Sequence, residues 1–111
     1  MSIIFEIRQG KPTIVRAIDA YNGRLPNQCR QDGVFDSCLN CWETYNKAIH
    51  QAADEMGVPV APVFDTWNGA DHTESPYDKG YIREDYEHPN ETGATIIADL
   101  LRDLGYEFII P

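Results

Sequence analysis

Asp85 and His88 stand three residues apart in Asp85-Tyr86-Glu87-His88-Pro89-Asn90-Glu91-Thr92-Gly93, near the C-terminal end of the 111-residue sequence. A carboxylate that orients a histidine is two thirds of a hydrolytic triad, and the missing third would be a nucleophile. A helix is expected to follow at once, capped by Asn90, so that its positive end sits close to His88. That end disfavours an imidazolium, whereas Asp85 favours one. Ser2, Ser37 and Ser75 are the only serines, and none has the setting of an activated nucleophile.

Other residues could do chemistry and have blander readings. Cys38-Leu39-Asn40-Cys41 is a Cys-x-x-Cys at an expected helix start, where a thiolate is stabilised. A redox role needs a thioredoxin-like setting, which the neighbouring residues do not supply. Zinc needs two more ligands from Cys29, His50, His72 and His88. Structural or disulfide-bonded cysteines are the better account, with Cys29–Cys38 and Cys38–Cys41 both open as bridges. His72 lies in an acidic stretch where Asp65, Asp71 and Glu74 could hold a cation, though a solvated loop explains the stretch as well. His50 reads as a surface or rim residue of a long helix. Asn90-Glu91-Thr92 fits a glycosylation sequon, but helix capping is sufficient reason for Asn90. Trp42, Trp67 and Tyr45 could line a cleft, with Trp42 the better core residue.

Composition narrows the partners. Eighteen acids against nine bases give a formal charge of −9, which repels nucleic-acid phosphates and anionic membrane surfaces. No apolar run approaches the roughly 20 residues of a membrane span. The first residues carry Glu6 and show neither a basic region nor a cleavage site, so no signal peptide is read. An odd number of cysteines is compatible with a reducing cytoplasm, the compartment favoured here. Apolar residues at 42% suffice for one folded domain spanning 1–111.

The elements that must position Asp85 and His88 follow from periodicity. Met1 to Arg8 has helical spacing of Ile3, Ile4 and Ile7 and reads like the end of a longer helix. Thr13 to Ala20 suits a buried parallel strand, interrupted only by Arg16. Tyr21 to Gly33 is a polar loop. Asp36 or Ser37 can cap a helix that runs to Met56 and closes at Gly57. Val58 to Phe64 is a second strand, marked as an edge by Pro59 and Pro62. Asp65 to Arg83 is a long acidic loop, of a length usually functional or mobile. A final helix runs from Glu91 to Leu104, and Tyr106 to Pro111 reads as a short extended tail. The order is that of an α/β protein with parallel strands, yet only two strands are visible.

The block Tyr81 to Gly93 resembles the C-terminal catalytic block of SGNH hydrolases, the GDSL-lipase-like esterases. In that family an Asp-x-x-His pair precedes Pro-Asn, a glycine and an amphipathic last helix. Pro12 to Asn22 looks like the family's fourth strand and following loop, and Trp42 to Asp65 like its next helix and fifth strand. The resemblance covers the second half of the family's fold. It implies part of a flavodoxin-like three-layer α/β/α parallel sheet whose N-terminal strands are missing. It further implies that Asp85 orients His88 as general base toward a serine, on a small-molecule carboxylic ester and with no cofactor or metal. The Gly-Asp-Ser block, the oxyanion glycine and the Gly-x-Asn-Asp block do not occur, so the chain alone is expected to be inactive. Tyr86 stands where the family often has glycine. Two other readings remain: a non-catalytic module that self-associates along the open edge of the Thr13–Ala20 strand, and one half of a split esterase.

Overall fold

The computed structural model describes residues 2–24 and 27–108. The elements in chain order are α1 (Ser2–Arg8), β1 (Ala17–Ile18), α2 (Asn27–Gln31), α3 (Phe35–Met56), β2 (Val60–Ala61), α4 (Val63–Asn68) and α5 (Glu91–Asp103). β1 and β2 run parallel, Ala17 opposite Val60 and Ile18 opposite Ala61. The Ala17 amide donates to the Pro59 carbonyl at 3.0 Å, so the proline serves this ladder through its oxygen and needs no N–H.

The flavodoxin-like three-layer α/β/α sheet is not formed. About half of the residues are helical, and the described residues hold only a two-stranded sheet. Two local causes shorten the strands. Beyond Asp19, whose amide still donates to the Ala61 carbonyl, the backbone pairs with side chains instead of a neighbouring strand. Asn46 Nδ2 donates to the Ala20 carbonyl at 2.9 Å while its Oδ1 accepts from the Ala20 amide at 2.7 Å. Asn68 does the same for Asn22, at 2.9 and 2.8 Å. On the other strand, the chain leaves the ladder at Pro62 and turns directly into α4. The start of α4 has no local side-chain cap. Asp19 supplies one from across the sheet, its Oδ1 accepting from the Phe64 amide at 2.7 Å. The first part of the expected Asp65–Arg83 loop is therefore helical.

Other expectations fare unevenly. α2 lies inside what reads as a polar loop, where Cys29 is bonded to Cys38 and ties it to α3. α3 begins at Phe35 with Val34 in the cap position, so neither Asp36 nor Ser37 caps it. Its C-terminal end is as expected: Gly57 takes φ +66° and donates to the Ala53 and Asp54 carbonyls. Residues 109–111 of the expected tail lie outside the described residues. Among the described residues no helix is long and apolar enough to cross a membrane.

Arg16, the polar interruption of the first strand, has a defined role. Its Nη1 donates to the Leu101 carbonyl at 2.7 Å, in the last turn of α5, and its guanidinium lies over the Tyr106 ring. A cation there adds a second donor to a last-turn carbonyl that also accepts from the Leu104 amide, and it complements the negative end of the helix dipole. At the other end of α5, Asn90 Oδ1 accepts from the Gly93 amide at 2.9 Å.

The core centres on Val63, Trp67 and Ile82, with Ile96, Ile97 and Leu100 of α5 packed against it. Trp67 is wholly buried and Trp42 only half-buried, the reverse of the sequence expectation. Gly93 sits in the tightest contact. A Cβ on it would be driven into the Tyr81 carbonyl and against the Trp67 ring. Gly93→Ala should therefore destabilise the protein by about 1–3 kcal/mol, the range of overpacked core sites. Urea unfolding of the variant measures this directly. A loss under about 0.5 kcal/mol, typical of an unconstrained surface site, would show that α5 is not seated so closely.

Candidate functional site

The Asp85–His88 loop is closed at its base by an antiparallel bridge between Ile82 and Pro89. The Arg83 amide donates to the His88 carbonyl at 2.9 Å, and the Tyr86 amide to the Arg83 carbonyl at 3.0 Å. Tyr86 takes φ +59°, the left-handed region that glycine enters without strain and a tyrosine does not. Its ring is held by stacking on Tyr77, with centroids 4.5 Å apart. The loop is also pinned from below. The Tyr21 hydroxyl donates to the Glu87 carbonyl at 2.6 Å, and Gly23 lies so near the Tyr86 carbonyl that a Cβ would collide with it.

This frame brings Asp85 and His88 together. Asp85 Oδ2 and His88 Nδ1 are 2.6 Å apart, and Asp85 Oδ1 accepts from the Glu87 and His88 amides at 2.9 and 3.0 Å. The His88 amide chiefly, then the His88 ring and the Glu87 amide, hold the Asp85 carboxyl down at about 2. A carboxylate that accepts three hydrogen bonds from its own loop is an ionised, fixed acceptor. The neutral imidazole must then carry its proton on Nδ1, leaving the Nε2 lone pair outward. Nε2 has no hydrogen-bond partner among the described residues, and the His88 side chain is 65% exposed. Such a group can take a proton from a hydroxyl placed beside it. No serine, threonine or cysteine of the described residues is bonded to it. Ser75 is buried, and its hydroxyl accepts from the Asp78 amide at 3.2 Å.

A second set of titratable groups lies elsewhere, around a cavity of about 740 Å³ between α3 and the turn after α4. Asp19, 4% exposed, holds His50 Nε2 at 3.0 Å through Oδ2. His72 stacks on Phe64 at 3.9 Å, with Nε2 at 2.6 Å from Asp65 and Nδ1 at 3.2 Å from Glu43. With a carboxylate on each nitrogen, both must donate and the ring is an imidazolium. Burial pushes the His72 pKa down, but the Asp65 and Glu43 hydrogen bonds and charges outweigh it, and the net shift is upward. Of the acids set beside His72 for a cation, Glu74 pairs with Lys79 at 2.9 Å and Asp65 with His72. Among the described residues no group of three ligands could hold a metal ion. Asp19 escaped the sequence reading. Its signal was a lone acid near the end of a strand that is uncharged but for Arg16, where a carboxylate needs a buried partner.

Cys29 and Cys38 form the bridge, one of the two pairings left open, and Cys41 is free and exposed. Trp42 and Tyr45 meet edge to face at 6.0 Å beside the Asp85–His88 loop, while Trp67 lines no cleft.

No protein-family model, no curated protein and no solved structure matches this chain.

Two measurements follow from these geometries. The neutral His88 ring should be the Nδ1–H tautomer in nitrogen-correlated NMR spectra, and Asp85→Ala should move it toward Nε2–H. An unchanged tautomer in that variant would show that Asp85 does not orient the ring. The His72 shift sets a pH dependence of opposite sense to that of Asp85. Because the folded-state pKa is raised, its ion pairs contribute fully below the ordinary histidine value of 6.5 and fade as pH rises through the folded value. His72→Gln should lower Tm by about 4 °C at pH near 5.5, for two partly exposed pairs of about 0.5 kcal/mol each. The gap should close at alkaline pH; a gap that widens there would contradict the imidazolium assignment. Asp85 acts at the acid end. Its contribution holds above the ordinary carboxyl value of 3.8 and disappears as pH falls through about 2.

Proposed function

We propose that Asp85 and His88 are the acid–base pair of an SGNH-type serine ester hydrolase, and that the serine they serve is contributed from outside the described residues. The observation that carries this is the 2.6 Å pairing of Asp85 Oδ2 with His88 Nδ1, with Nε2 left open. In the reaction His88 Nε2 takes the serine proton as the hydroxyl oxygen attacks the ester carbonyl. It then gives that proton to the departing alkoxide, and the same ring activates the water that releases the acyl group. Asp85 keeps the ring in the useful tautomer and balances the imidazolium charge. The likeness of Tyr81 to Gly93 to the family's last catalytic block supports the assignment of the reaction; the pairing geometry supports the two roles.

A fluorophosphonate probe should leave the 111-residue chain unlabelled. Reading the gene ahead of the Met1 codon, and the neighbouring frames, should find a Gly-Asp-Ser segment. Co-expression of that segment should give labelling that disappears in His88→Ala. Labelling that persists without His88 would defeat the proposal.

A second reading is favoured by exposed apolar side chains. Ile14 and Ile18 beside the outer edge of β1 are 40% and 39% exposed, and Ile3 and Ile7 on α1 are 65% and 75% exposed. Among the described residues β1 pairs only with β2. An edge of this kind invites another strand, and a second copy of the chain could cover it. Light scattering on the eluting protein should then report a dimer or larger at micromolar concentration, reduced to monomer by Ile18→Lys. A monomeric parent protein would exclude this association.

A further inference from the structure

Glu43, Lys47, His50 and Asp54 follow one another along α3 at steps of four, three and four residues, and so share one stripe. That stripe is one wall of the cavity of about 740 Å³, and the turn after α4, with Ala70, Asp71 and His72, is the other. We propose that this groove docks an extended, basic segment of a partner protein, whose Lys or Arg side chains pair with Asp54 and Asp71. The inference lies outside the hydrolase reading and stands without it.

Length comes first. At 1.5 Å per helical residue, Glu43 and Asp54 stand about 16 Å apart along α3. An extended chain of about five residues spans that distance at roughly 3.3 Å each. Alternate side chains of such a chain point the same way, so basic residues two or four apart meet one wall. The stripe is open to them, because Lys47, His50, Gln51, Asp54 and Asp71 are all exposed. His50 is also set in place beforehand. Asp19, 4% exposed, holds its Nε2 at 3.0 Å, and Nδ1 has no partner among the described residues. A ring that donates from Nε2 presents Nδ1 as an acceptor for a backbone or lysine N–H.

Charge selects the occupant. Six carboxylates line the groove, against the Lys47 ammonium and the His72 imidazolium. Four of the six have partners inside the protein. Asp19 holds His50, Glu43 and Asp65 hold His72, and Glu55 accepts from Gln51 at 3.3 Å. The Asp54 and Asp71 carboxylates have none among the described residues, and neither has the Lys47 ammonium. Among the described residues no three ligands gather closely enough for a metal ion, so the acids suit charges that are set apart. A second copy of the chain would bring a further charge of −9 and be repelled. A linear polyamine would meet the acids, but it has only donors and nothing for Lys47. A basic peptide offers cations to Asp54 and Asp71, a carbonyl to Lys47 and an N–H to His50.

The test is an NMR titration of the whole chain, at near-physiological salt, with capped peptides of alanine and threonine. Each carries two arginines or two lysines, two or four positions apart; glutamate counterparts and 1,7-diaminoheptane are titrated beside them. At least one basic peptide should bind saturably, with the largest amide shifts at His50, Asp54 and Asp71, and the glutamate peptides should not bind. Asp54→Asn with Asp71→Asn should weaken that binding by about ten-fold, as the loss of two partly exposed ion pairs. Asp32→Asn with Asp103→Asn removes the same charge away from the groove and should weaken it by less than about two-fold. All four side chains are exposed, so both variants should fold, and their amide spectra show whether they have. The proposal is overturned by no saturation with any basic peptide, or by shifts that fall outside the groove. Equal losses in the two double variants would overturn it too, by tracing the attraction to the field of the whole chain. So would diamine binding as tight as that of the peptides, which would make the groove a site for small cations.

Discussion

After the Asp19 amide, which still donates to the Ala61 carbonyl, the backbone of Ala20 to Asn22 leaves the sheet in the middle of the protein and must find partners without a strand beside it. Buried side chains provide them. Asn46 from α3 and Asn68 from α4 each grip one residue of the segment through both faces of an amide, as a neighbouring strand would. Asp19 returns the interaction by capping α4. Both helices are thereby fixed to the same four residues. An unpaired buried backbone group costs about 1–3 kcal/mol, so none of these amides is replaceable by an apolar side chain of the same size. The segment then continues into Tyr21 and Gly23, which seat the Asp85–His88 loop.

Three histidines illustrate how partners decide chemistry. His72 has a carboxylate on each nitrogen and no free lone pair, so it behaves as a fixed cation that joins α3 to α4. His50 is held by one deeply buried carboxylate at the edge of a large cavity. His88 has one carboxylate, on Nδ1, and its other nitrogen faces outward. His50 and His88 each leave one ring nitrogen without a partner among the described residues; His88 differs in standing on a loop closed at its base by the Ile82–Pro89 bridge, with its carboxylate supplied from the same loop. The number of carboxylates sets His72 apart from the other two.

What was legible in the sequence was local. The Asn90 cap, the Gly57 terminus and the stripe of α5 follow from residue type and 3.6-residue spacing, and all are present. Asp85 and His88 were readable as a pair because only three residues separate them. Strand extent was not legible, since a β-branched stretch such as Thr13 to Ala20 becomes regular only where a partner lies alongside. α4 was hidden because its cap comes from Asp19, 45 residues away. The roles of the two tryptophans were exchanged for a similar reason. Trp67 sits in a segment that reads as loop, yet the helix and Gly93 draw it into the core.

One of the amide grips, Asn68, and the residue it holds, Asn22, carry a chemical liability along with their geometry. Asn22 and Asn68 each precede a glycine, Gly23 and Gly69. In a flexible chain, asparagine before glycine is the pairing most prone to deamidation, because the next backbone nitrogen readily attacks the side-chain carbonyl carbon. Here both amides are almost wholly buried, and Asn68 is bonded on both its oxygen and its nitrogen, which holds it away from that attack. Conversion of Asn68 to aspartate would set a carboxylate against the Asn22 and Glu74 carbonyls, where an amide nitrogen now donates. Deamidation at these two sites therefore requires the central segment to open first, and a carboxylate formed there would hinder its closing again.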